Sequence, residues 1–137
     1  MHRARIAITL LWWSWGLLIV ALMIAMSLNS SFYGDDLGAA WKWFIPGIFP
    51  ALTLVGATAY AAPASDADAP LAPERVVAFR LTIVISLLYL LALTVAVLAQ
   101  FFIVTPLIDH LRRTSLWLAP LQALAAGSVG VFFTRKA

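Results

Sequence analysis

Four stretches of this chain, residues 6–34, 43–65, 81–108 and 114–134, contain no aspartate, glutamate, lysine or arginine. Each is long enough for the roughly 20 helical residues that cross a hydrocarbon core about 30 Å thick. The runs are continuously apolar rather than alternating, and four are too few to close a barrel. Their backbones must therefore satisfy themselves as helices. Composition agrees: 64% of the 137 residues are hydrophobic and 11% charged, against about 45–50% and about 25% in water-soluble domains. The expectation is an all-α polytopic integral membrane protein, one domain over 1–137, with four transmembrane helices in a small bundle. The spans are placed near 6–28, 43–62, 79–104 and 115–134.

The charges set orientation. With the N-terminus in the cytoplasm, Arg3, Arg5, Arg75, Arg80, Arg135 and Lys136 lie inside, and Lys42, Arg112 and Arg113 lie outside. Lysine and arginine concentrate on the cytoplasmic side of membrane proteins, so both termini are expected there. Arg3 and Arg5 ahead of an apolar run imitate a secretory signal. That run exceeds the usual length of about 7–15 residues and carries three tryptophans, so a retained span is expected. The location is read as multi-pass, in a bacterial inner membrane.

Residues 63–77 hold Pro63, Pro70 and Pro73 among alanine, serine and aspartate. Such a segment cannot bury a core and reads as a mobile cytoplasmic linker. Trp41, Trp43 and Trp117 open the second and fourth spans, while Trp12, Trp13 and Trp15 lie in the first. All six are read as interfacial anchors, because an indole combines an apolar ring with one polar edge.

Chemistry-bearing groups are scarce. The absence of cysteine excludes disulfides and thiolate metal sites. No span contains an ionisable residue of the kind that marks a proton relay. His2 and His110 are separated by topology, so a two-histidine metal site within one copy is not expected. Asp109, His110, Arg112 and Arg113 are read as a solvated loop over 105–114. Size and layout resemble those of small multidrug-type antiporters, which need a carboxylate in an early helix. The first span offers only Thr9 and Ser14, and the resemblance fails on that residue. No phosphate loop or basic patch with interleaved aromatics is present. The expectation is no enzyme activity, no cofactor, no metal and no nucleic acid.

Two faces and three prolines remain. Thr82, Ser86, Tyr89, Leu93, Ala96 and Gln100 follow one another at alternating steps of four and three, on one helix face in the register of left-handed packing. They are candidates for helix packing or for lining a polar path. Ala119, Ala123, Ala126 and Gly130 repeat that register with Gly127 beside them and Gln122 at the edge. Small residues four apart let helix backbones approach closely in lipid. In the second span Pro46, Gly47 and Pro50 are candidates for a kink or gate; Pro46 would be harmless if the helix began at Ile45. Pro120 is the counterpart in the fourth span.

A chain with two packing seams, kinked helices and no catalytic groups is expected to act by assembling. The leading reading is a homo-oligomeric, non-enzymatic module that opens a pore or perturbs the bilayer, a toxin-like or defence effector triggered by a separate protein. The alternatives are an accessory subunit of a larger membrane complex and a small transporter or channel. Expected partners are the lipid bilayer, further copies of the chain, and a cytoplasmic or membrane protein.

Overall fold

The computed structural model describes residues 2–60, 73–103 and 105–134. Among these the secondary structure is helical, without strands: α1 (His2–Leu28), a short α2 (Ser30–Tyr33), a 3₁₀ turn (Gly34–Asp36), α3 (Leu37–Tyr60), α4 (Pro73–Ala99) and α5 (Leu107–Thr134). The four long helices are each long and apolar enough to cross a membrane. A helix of 27 residues such as α1 is about 40 Å long, so its ends reach the headgroup layers.

The helices form a ring in which α1 and α5 each adjoin both α3 and α4. Direction follows from side-chain pairs. Trp12 meets Ser86 and Trp15 meets Thr94, so α1 and α4 run the same way. Ser27 meets Trp41, so α3 runs back against α1. His110 meets Ala96 near one end and Thr82 meets Ser128 near the other, so α5 runs against α4. Arg5 lies against Phe133, which puts both termini at the same end of an up-and-down bundle.

The core stripe of α1 is Ala4, Ile8, Trp12, Ile19, Met23 and Met26, all buried at helical spacing. It packs against Phe44, Ile48, Leu52 and Val55 of α3 and Tyr89, Leu90, Leu93 and Val97 of α4. Backbones approach closely where glycine replaces a side chain. A methyl group at Gly16 would stand 2.9 Å from Leu52 Cδ2, and one at Gly56 would stand 3.2 Å from Trp13 Cζ2. Gly34 takes φ 50° at the exit from α2, a conformation that favours glycine.

Helix bounds differ from expectation where polar residues open a helix. The helix α3 starts at Leu37 and not near 43, so Pro46 and Pro50 are both interior. The helix α4 starts at Pro73, with Glu74 in its first turn. Proline is pre-organised for that position and an acid favours the helix start. Residues 73–77 are thus helical, and the rest of the expected linker, 63–72, lies outside the described residues. The expected loop 105–114 is helical from Leu107 onward, begun by hydrogen bonds from the backbone N–H groups of Asp109 and His110 to the Pro106 carbonyl. Arg112 and Arg113 are exposed on that first stretch of α5.

Candidate functional site: a clasped proline segment beside an open helix face

Proline 50 has no amide hydrogen to give the carbonyl four residues earlier, which is that of Pro46. An unpartnered carbonyl in hydrocarbon is costly. Here Gln122 of α5 supplies the missing donor, its Nε2 hydrogen-bonding the Pro46 oxygen. One residue on, the Gly47 carbonyl accepts a hydrogen bond from the Tyr89 hydroxyl of α4. Two side chains from two helices thus clasp adjacent carbonyls of α3 beside its double-proline segment.

A methyl group at Gly47 would lie in ordinary contact, 3.5 Å from Tyr89 Oη and 3.8 Å from Leu93 Cδ1, so the Tyr89 bond does not depend on a glycine here. Tyr89 has no exposed surface, and its ring stacks on Trp12 at 5.9 Å between centroids. Beside the clasp is a cleft of about 180 Å³ lined by Trp43, Pro46, Gly47, Tyr89, Leu93, Ser115, Leu118, Ala119 and Gln122. It is partly open and carries no ionisable side chain other than Tyr89. The third proline, Pro120, lies inside α5, two residues from Gln122.

Thr82, Ser86, Tyr89, Leu93 and Ala96 of α4 are all buried, as is Gln100 in the turn that follows the helix. Their polar groups are largely engaged between helices. Thr82 Oγ1 donates to the Ser128 carbonyl at 3.3 Å. Ser86 Oγ accepts from Trp12 Nε1 at 3.0 Å. Gln100 Oε1 accepts from Tyr33 Oη at 2.6 Å, while Gln100 Nε2 is buried without a partner. This face is a polar seam at the centre of the bundle, crossing from α4 to every other long helix or its extension.

The small-residue face of α5 is placed differently. The buried residues of α5 are Leu111, Thr114, Leu118, Ala125, Val129, Phe132 and Phe133. Ala119, Ala123 and Gly127 are exposed, and Ala126, Gln122 and Gly130 are half-buried. Apart from its chain neighbours and the backbone of its own helix turn, nothing lies within 4 Å of a methyl group built on Gly127 or Gly130. Ala119 follows Leu118 by one residue, about 100° round the helix, so the ridge Ala119–Ala123–Gly127 turns away from the bundle.

The tryptophans divide. Trp12, expected as an interfacial anchor, is wholly enclosed. Trp15 is half-buried and donates to Thr94 Oγ1 at 3.0 Å, and Trp41 donates to Ser27 Oγ at 2.9 Å. The reason is the indole N–H, which has no acceptor in hydrocarbon and finds a hydroxyl on a neighbouring helix. Trp43 lines the cleft, and Trp13 and Trp117 are each 40% exposed. Sequence reasoning did not single out Gly16, Gly56, Ser27, Tyr33 or Thr94 as helix contacts. The three polar residues among them could have been found as partners owed to buried donors and acceptors.

Among the described residues there is no group of three or more His, Cys, Asp or Glu side chains that could hold a metal ion. No protein-family model matches the chain, and comparison with curated proteins and with solved structures finds no match.

Proposed function

We propose that this protein is a non-enzymatic membrane module that acts by assembling with copies of itself and thereby opens or perturbs the bilayer. One observation carries the reading: the Ala119–Ala123–Gly127 ridge of α5 faces away from its own bundle, with open space over both Gly127 and Gly130. A lipid-facing helix has no need of small side chains, whereas two helices meeting in lipid gain by bringing their backbones close. The ridge passes directly beside the cleft and the clasped hinge, since Ala119 belongs to both. Assembly on the ridge would press on the hinge, and release of the Gln122 and Tyr89 clasps would expose the Pro46 and Gly47 carbonyls to the space between copies. That route gives a bundle without intramembrane charge a polar surface when triggered. The cell is read as bacterial, the termini as cytoplasmic, and the trigger as a separate protein.

Induced expression with a membrane-potential dye tests the activity. The proposal expects rapid depolarisation by the wild-type chain and none by Gly127→Leu at equal membrane abundance. Unchanged potential in cells that insert the wild-type chain at high level would sink it.

A second reading, an accessory subunit of a larger membrane complex, is supported by the exposed Arg112–Arg113 pair, which suits an acidic partner surface. Recovery of a stoichiometric different protein, with no self-association, would favour it.

A further inference from the structure

Arg5 lies at the termini end of the bundle, in the first turns of α1. Its guanidinium carbon stands 5.8 Å from the centre of the Phe133 ring, and its Nε is buried without a hydrogen-bond partner. The residue is half-buried, unlike its exposed neighbour Arg3. The helix α1 contains no carboxylate. Among the described residues the carboxylate at this end is Glu74, exposed in the first turn of α4. One turn deeper along the same face of α1, Thr9 Oγ1 is also buried without a partner. Two orphaned polar groups four residues apart are neighbours on a helix.

A guanidinium held between an aromatic face and the bundle has lost part of its hydration without gaining an anion, and the aromatic ring offsets only part of that loss. The height of the residue decides what can supply the anion. The span is longer than the hydrocarbon core, so its first turn lies among headgroups, where the abundant anion is a phosphodiester. The planar fork of arginine matches phosphate oxygens with two parallel hydrogen bonds.

We infer that Arg5, seated on Phe133 with Thr9 as the spare donor one turn deeper, is a binding site for the phosphate of an anionic phospholipid at the termini end of the bundle. The site is independent of the assembly ridge, which lies on another face of α5. It fixes one lipid beside the contact that Arg5 of α1 makes with Phe133 of α5.

The test is native mass spectrometry of the detergent-purified full chain mixed with equal amounts of phosphatidylglycerol and phosphatidylcholine. The wild type is expected to retain one phosphatidylglycerol in preference. Arg5→Gln is expected to lower that retention about fivefold, Thr9→Val to lower it less, and Arg3→Gln to leave it unchanged. If Arg5→Gln does not fold, Arg5→Lys is read instead; it keeps the charge, loses the fork, and is expected to bind weakly. Equal retention of the two lipids by the wild type, or an equal loss in Arg3→Gln, would overturn the site as a mere field of positive charge. Displacement of the lipid by millimolar inorganic phosphate would overturn the lipid as its ligand.

Discussion

Gln122 donates to the carbonyl of Pro46, the oxygen that Pro50 leaves without a backbone donor. The amide therefore repairs a defect that the sequence itself creates, 76 residues away in the chain. Repair and defect should be energetically coupled. Gln122→Leu is expected to destabilise the bundle by about 1 kcal/mol, the scale of an interhelical hydrogen bond in lipid. In a Pro50→Ala background, where the amide of residue 50 can reach the Pro46 oxygen, the same change should cost close to nothing. A double-mutant cycle measured by reversible unfolding in mixed micelles checks this, and additive costs would show that the clasp has no such role.

The Tyr89 hydroxyl makes the second clasp. Tyr89→Phe keeps the ring on Trp12 and removes only the bond to Gly47. The expected loss is about 0.5–1.5 kcal/mol. Amide exchange should rise over Pro46–Leu54 and stay level in α1. Increased exchange spread evenly over the bundle would contradict a local hinge.

Burial of Trp12 is a prediction about light as well as energy. The indole has no exposed surface and donates to Ser86 Oγ at 3.0 Å, so Ser86→Ala leaves a buried N–H without its acceptor, at a cost of about 1–2 kcal/mol. In single-tryptophan variants, each made by replacing the other five with phenylalanine, Trp12 should resist aqueous acrylamide and membrane-embedded quenchers alike. Trp117, 40% exposed, should be quenched far more than Trp12. Equal quenching of both would place Trp12 on the surface.

Two glycines distinguish packing inside one copy from the proposed packing between copies. Gly56→Leu forces a branched side chain toward Trp13, where even a methyl group sits at 3.2 Å, and should destabilise by about 2 kcal/mol or more. Gly127→Leu meets open space and should leave the fold of the single bundle within about 0.5 kcal/mol. Thermal unfolding of the two variants in detergent compares them directly.

Much of the fold was legible because lipid leaves few choices. A run of about 20 uncharged residues has to be a helix, and Thr82, Ser86 and Tyr89 on one face require partners that hydrocarbon does not supply. The interior start of α3 was hidden because Leu37–Lys42 mixes small, aromatic and charged residues, so hydropathy alone begins the span later. The stretch from Leu107 was hidden for a similar reason: Asp109, His110, Arg112 and Arg113 look like a loop, yet they decorate helical turns at the membrane edge. The sequence marked Gln122 and Pro50 separately. That one completes the other depends on α3 and α5 lying side by side, which spacing within either helix cannot reveal.

The proposed self-association of the chain is tested most directly by the mass of the protein in lipid. Native mass spectrometry of the wild type, released from lipid nanodiscs, should give a defined multiple of the 14.9 kDa chain. Gly127→Leu should appear as the single chain with its helicity intact. A wild type that is monomeric across all protein concentrations, or a Gly127→Leu variant that assembles as the wild type does, would contradict the account.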